Sequence, residues 1–143
     1  MFPDPTLKWK PLPSVIDGMP LPSADAHGIG PEGLCLTVHS FRDDQRAFGI
    51  ELQCQAYFAM DDLLYKYSNH GEPTSDYGDV YIMEATASAL LDAQARCNPT
   101  IPVRHFRFTG FDFCYEVLSV DEPKIHTFAN DDEAYAWAAK QTR

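Results

Sequence analysis

Cysteine and histidine are the residues of this chain with the widest chemistry, because thiolates and imidazoles act as nucleophiles, bases or metal ligands. The sequence contains four cysteines and five histidines. They are Cys35, Cys54, Cys97 and Cys114, and His27, His39, His70, His105 and His126. No C-x-x-C pair occurs, so the spacing is neither that of a zinc knuckle nor that of a thioredoxin-type motif. We expect reduced thiols, no bound metal and no cofactor.

One cysteine–histidine pair is predicted to meet in a β-hairpin. If residues 102–118 form a hairpin with a two-residue turn, His105 lies opposite Cys114. If this hairpin lay beside the strand that carries Cys35 and His39, the four side chains would be of the types that bind zinc. Their spacings in the sequence fit no standard zinc-binding framework. A Cys114–His105 dyad would be nucleophilic only if its thiol were exposed and its pKa lowered. The alternative is that these residues are ordinary strand positions.

Known catalytic and nucleotide motifs give little support to an enzyme. Residues 28–33 read GIGPEG, which has the letters of the dinucleotide fingerprint. That chemistry needs a strand before the first glycine and a helix N-terminus after the last. Here a proline-rich segment precedes the motif and a strand-like segment follows it, so we predict an entry turn. The sequence has no G-x-S-x-G, P-loop or H-E-x-x-H motif either.

Negative charge is the strongest bulk signal. The chain has 11 basic and 21 acidic residues and a net charge of −10, which disfavours nucleic-acid binding. Residues 51–92 contain eight acids and one base, for a net charge of −7. The leading hypothesis is a non-enzymatic acidic binding protein that docks a basic macromolecular partner, as immunity or inhibitor proteins do. Its partner-binding residues would be Asp61, Asp62, Glu72, Asp76 and Asp79, which could instead form a solubilising face or a solvated turn.

A second hypothesis is a small-ligand or enzymatic pocket between the sheet and the helices. An aromatic-rich cleft with a few convergent polar groups is typical of such sites. The outer-face groups that would line it are His39, Tyr57, His105, Cys114 and Tyr115.

The elements that must position these residues are strands and two helices. Alternation of apolar and polar residues over 34–41 and 48–58 predicts antiparallel strands with one buried face. Residues 84–97 lack glycine and proline and predict a helix, while residues 80–83 fit a strand or a helix. Short strands are expected at 63–67 and 125–128, and residues 68–77 read as a polar loop.

The C-terminal residues predict a second helix. Asn130 followed by Glu133 is typical of a capping box, with Ala134, Trp137 and Ala138 as the buried stripe. The acids at the start of this helix and the bases near its end agree with the helix dipole.

The hairpin at residues 102–118 is predicted to turn at Thr109-Gly110. That turn pairs Phe108 with Phe111, Phe106 with Phe113, Arg107 with Asp112 and His105 with Cys114. A single strand with a glycine bulge is the other interpretation.

The N-terminal residues 1–33 contain seven of the eleven prolines and predict an extended arm that lacks helix and sheet. Its apolar residues, Trp9 among them, need a surface, which is this domain or a second subunit of a homodimer. Residues 34–143 then form a single α+β domain, an antiparallel sheet of about five or six strands packed by two helices. The lack of a leader or membrane-spanning run predicts a cytoplasmic protein.

Overall fold

The computed structural model describes residues 6–20, 22–30, 33–40, 46–52, 54–61, 80–109 and 113–141. These residues form nine β-strands and two α-helices. The strands are β1 Lys8–Pro11, β2 Pro22–Gly30, β3 Gly33–Ser40, β4 Ala47–Leu52, β5 Cys54–Asp61, β6 Ile82–Ala87, β7 Arg104–Thr109, β8 Phe113–Ser119 and β9 Lys124–Phe128. The helices are α1 Ala89–Cys97 and α2 Asp131–Gln141.

The strands form two antiparallel sheets, with the orders β1-β6-β7-β8-β5 and β2-β3-β4-β9. The predicted α+β class with antiparallel pairing is therefore confirmed, whereas the single sheet of five or six strands is wrong. The continuous alternation over residues 48–58 conceals the change of sheet, because β4 belongs to the four-stranded sheet and β5 to the five-stranded one. An alternating pattern reports one buried face and does not specify the sheet to which that face belongs.

The two sheets pack face to face over a shared apolar core. The four-stranded sheet contributes Leu34, Leu36, Val38, Phe48, Ile50 and Leu52, and the five-stranded sheet contributes Ile82, Phe106, Phe108, Tyr115 and Val117. Since side chains alternate along a strand, the residues between these lie on the two outer faces. Helix α2 covers the outer face of β3 and β4, and α1 lies against β7 of the other sheet. Neither of these two helices has the length and apolar composition needed to cross a membrane.

Two edge strands lie within the proline-rich segment. β1 is an edge strand of the five-stranded sheet and β2 is an edge strand of the four-stranded sheet. Edge strands and strand ends tolerate proline, since its missing N–H removes no required ladder hydrogen bond there. Between them, Ile16 and Met19 are buried in the shared core. These strands correct the expectation that the segment forms no sheet.

Strands β7 and β8 confirm the predicted hairpin and correct its register. The observed pairs are His105 with Leu118, Phe106 with Val117, Arg107 with Glu116, Phe108 with Tyr115, and Thr109 with Cys114. The shift along β8 is even, so each residue keeps the face that the alternation predicted. The predicted turn at Thr109-Gly110 is wrong, because Thr109 still belongs to β7.

The first helix begins later than predicted. Glu84 lies within β6, and the N-cap of α1 is Ser88, whose Oγ accepts a hydrogen bond from the Leu91 N–H at 3.1 Å. The predicted start at Glu84 lacks such a cap in the sequence. The second helix is confirmed, because Asn130 Oδ1 accepts a hydrogen bond from the Glu133 N–H at 3.0 Å, and Ala134 and Ala138 are buried.

Gly49 leaves room for α2 on the four-stranded sheet. A Cβ at this position would lie 2.6 Å from Cε3 of Trp137, whose ring also contacts His126 and Phe128. We expect Gly49→Ala to lower the free energy of unfolding by about 1–3 kcal/mol, because Trp137 must move. Urea unfolding measures this difference. In a Trp137→Leu background the same substitution should cost less, and an equal cost in both backgrounds would contradict the steric explanation.

Candidate functional site

A group of polar side chains lies on the outer face of the four-stranded sheet, between the edge strand β2 and helix α2. Asp25 pairs with Thr37 across the β2–β3 ladder. Between Ala26 and Ile29 the register shifts, so that two residues of β2 oppose one residue of β3. A bulge of this kind redirects a side chain, and here it accompanies the contact of His27 with Thr37.

Five side chains from three elements meet at this point, and we call them the β2–α2 cluster: Asp25, His27, Thr37, His39 and Tyr135. The Tyr135 hydroxyl donates a hydrogen bond to Oδ2 of Asp25. His27 Nε2 lies 2.6 Å from Oγ1 of Thr37, and the His27 ring meets the Tyr135 ring edge-on, with centroids 5.4 Å apart. Nδ1 of His39 lies 4.0 Å from Oδ2 of Asp25.

The β2–α2 cluster is accessible to solvent at Asp25 and Tyr135 and buried at Thr37. The Asp25 side chain is 48% exposed and Tyr135 is 39% exposed, whereas Thr37 is buried. Partial burial lowers the pKa of His27, against the opposing effect of the Asp25 charge, so this imidazole is neutral at pH 7. Burial, together with the hydrogen bond to Asp25, raises the pKa of Tyr135 to about 12. The phenol therefore remains a donor throughout the physiological pH range.

This arrangement suits the binding of a cation. It presents one carboxylate charge beside two aromatic rings, and aromatic faces attract cations through their quadrupole. Oδ1 of Asp25 forms no hydrogen bond with any residue in the described part of the chain, while Oδ2 is occupied by Tyr135. Within the same described ranges, no three His, Cys, Asp or Glu side chains are arranged to hold a metal ion.

A second polar cluster lies buried on the outer face of the five-stranded sheet. His105 connects two groups: its Nδ1 is 2.9 Å from Ser88 Oγ, and its Nε2 is 2.7 Å from Glu116 Oε1. The Trp9 ring meets His105 edge-on at 5.0 Å, and the Arg107 guanidinium lies 4.5 Å from the Trp9 centroid.

The order serine–histidine–carboxylate is that of a hydrolase triad, but the surroundings differ from those of an active site. All three side chains are buried, and the Ser88 hydroxyl caps α1. Polar side chains that are closed off from solvent and bonded to one another are typical of a structural contribution to the core. We therefore assign this cluster to the stability of the fold.

Comparisons with known protein families, curated proteins and solved structures found no match. The function is accordingly inferred from charge and geometry.

The residues predicted to line a ligand pocket lie in different layers of the molecule. His39 belongs to the β2–α2 cluster. Tyr115 faces the core, where its hydroxyl donates a hydrogen bond to the Ala24 carbonyl at 2.9 Å. His105 and Cys114 are buried in the five-stranded sheet and are not paired with each other, so the predicted contact between them is wrong. Tyr57 pairs with Val117 in the β5–β8 ladder, and its side chain lies outside the described part of the structure.

Of the five predicted partner-binding acids, Asp61 ends β5, where it pairs with Phe113. The other four, Asp62, Glu72, Asp76 and Asp79, lie outside the described residues, as do the strand predicted at 63–67 and the loop predicted at 68–77.

Two further acids of the stretch 51–92 are engaged within the chain. Glu51 Oε2 lies 3.0 Å from Nε2 of His126. Glu84 accepts two hydrogen bonds from Arg104, at 2.6 and 2.7 Å, and lies 3.7 Å from Nζ of Lys10. The bonds to Arg104 lower the pKa of Glu84 and keep it ionised. These two carboxylates are therefore used to hold strands together.

Sequence reasoning found one member of the β2–α2 cluster and missed four. The alternation had placed Thr37 on the same outer face as His39, which was a usable signal. Asp25 and His27 lie in a segment that was not expected to form a strand, and Tyr135 lies off the buried stripe of α2. No pattern within one element could therefore have brought them together.

Proposed function

We propose that this protein is a non-enzymatic acidic binding protein that docks a basic macromolecular partner. The observation that supports the proposal is the distribution of charge, since residues 51–92 hold a net −7 of the total −10. A surface with one sign of charge speeds encounter with a partner of opposite sign and disfavours partners of like sign.

The contacts inside the chain narrow the set of docking acids. Glu51 and Glu84 are bonded to His126 and Arg104, and Asp92 lies in the first turn of α1, where it complements the helix dipole. The remaining five are Asp61, Asp62, Glu72, Asp76 and Asp79, which share residues 61–79 with a single base, Lys66. This segment is the proposed docking surface.

Binding to such a surface weakens with salt, because exposed charges are screened beyond about 8–10 Å at physiological ionic strength. The test is capture from an extract of the source cells on the immobilised full-length protein at low and high salt. A captured basic protein is then purified, and its affinity is measured by calorimetry. We expect the affinity to fall about tenfold or more when the four aspartates of the docking surface become Asn and Glu72 becomes Gln.

A control variant neutralises five exposed acids elsewhere in the chain and outside the β2–α2 cluster: Asp92, Asp121, Glu122, Asp132 and Glu133. We expect it to bind the partner much as the unmodified protein does. An equal loss of affinity in both variants would show a general charge effect and would contradict the proposed docking surface. Recovery of no basic partner at low salt would contradict the function itself.

A further inference from the structure

We propose that the β2–α2 cluster binds the guanidinium group of an arginine side chain on the basic partner, an inference that rests on the proposed function. The cluster supplies a half-exposed carboxylate, Asp25, beside the rings of Tyr135 and His27.

The carboxylate is oriented before any ligand arrives. Asp25 is fixed from one side by the Tyr135 hydroxyl, which occupies Oδ2 and leaves Oδ1 without a hydrogen bond to the described residues. The ladder pair with Thr37 fixes its backbone. Binding to a group that is already held costs less conformational entropy than binding to a mobile side chain.

The aromatic rings favour arginine over lysine. Tyr135 and His27 meet at an interplanar angle of 68°, so one ring can present its face to a cation that the Asp25 carboxylate also contacts. A guanidinium is planar, so it stacks on an aromatic face while its N–H groups bond a carboxylate, whereas an ammonium is a compact and strongly hydrated charge.

The surrounding charges also favour a cation. Asp131, in the first turn of α2, adds negative potential at the Tyr135 phenol. The His39 imidazole lies 4.0 Å from the Asp25 carboxylate. The carboxylates of Asp25 and Asp131 therefore place two negative charges near the Tyr135 ring.

The test is an NMR titration of the labelled full-length protein with blocked arginine, N-acetyl-arginine amide. Two control ligands are titrated in parallel: blocked lysine, which has the charge without the planar group, and blocked citrulline, the neutral isostere of arginine. We expect saturable shifts at Asp25, His27 and Tyr135 with arginine, weaker ones with lysine and none with citrulline. Absence of saturation, or shifts centred elsewhere, would overturn the assignment.

Variants separate the contributions of charge and ring. Asp25→Asn should weaken arginine binding about tenfold or more, whereas Asp92→Asn removes the same charge from an exposed position on α1 and should leave binding unchanged. Tyr135→Phe keeps the ring and should retain more binding than Tyr135→Leu. Equal losses in the two aspartate variants, with the fold checked by spectra, would overturn the site.

The titration also separates this inference from the proposed function. Neutralising the docking acids of residues 61–79 should weaken binding of the partner about tenfold or more without changing the arginine titration. If a basic partner is captured but blocked arginine leaves the β2–α2 cluster unshifted, the inference fails and the function stands. If blocked arginine binds but no basic partner is captured, the proposed function fails and the cluster remains a site for a small cation.

Discussion

Replacing Glu116 by glutamine should lower the free energy of unfolding by about 3–5 kcal/mol, one of the two largest effects we expect. Glu116 is 1% exposed and lies directly across the β7–β8 ladder from Arg107, which is fully buried. The glutamine amide oxygen can still accept the hydrogen bond from His105. The substitution removes the acidic group at the ladder position opposite the buried Arg107, and a buried charge without a nearby counter-charge is strongly destabilising.

A double-mutant cycle tests whether the two charges that lie opposite each other across the ladder are the cause. Arg107→Met should also be destabilising, because it leaves the buried Glu116 carboxyl without the cation opposite it and removes the guanidinium from the Trp9 ring. The double variant should lose much less than the sum of the two single losses, since replacement of both buried charges is often close to neutral. Urea unfolding of the four proteins measures the coupling. Additive losses would show that the two side chains do not depend on each other.

The same cluster explains why the hairpin could be predicted but its register could not. The aromatic alternation sets which face each residue occupies, and those faces are as expected. A two-residue turn at Thr109-Gly110 would have placed Glu116 opposite Val103, without a cation across the ladder. The observed register places Glu116 opposite Arg107 and beside His105. Burial of a carboxylate is costly without such partners, and this requirement is not visible in local turn composition.

Two other features were unpredictable for a related reason. One is the change of sheet between β4 and β5, and the other is the β2–α2 cluster. Alternation is a property of one strand, whereas both features depend on which strands become neighbours. Proline content lowered the expectation of a strand at residues 22–30, yet an edge position tolerates the proline that begins it. Once β2 is placed beside β3, the pairing of Asp25 with Thr37 follows from the register.

The N-terminal segment should be required for folding. Its side chains Leu7, Trp9, Ile16 and Met19 are buried within the same chain, so they need no second subunit to cover them. At about 1.5–3 kcal/mol for each buried side chain, deletion of residues 2–22 removes about 6–12 kcal/mol of apolar stabilisation. A domain of this kind is stable by only about 5–15 kcal/mol. We expect circular dichroism of the truncated protein to show no cooperative thermal transition.

Two adjacent residues of the segment provide a matched pair of variants for this prediction, because they are neighbours in the chain but differ in burial. Ile16 is buried in the core shared by the two sheets, whereas Val15 is 60% exposed. Ile16→Ala should lower the free energy of unfolding by about 2–5 kcal/mol, whereas Val15→Ala should change it by less than about 0.5 kcal/mol. Similar small changes for both variants would mean that the segment is not anchored in the core. Urea unfolding of the full-length protein and the Ile16 variant over a range of protein concentrations then separates loss of core packing from loss of a subunit contact. Only loss of a subunit contact makes the difference in stability depend on concentration.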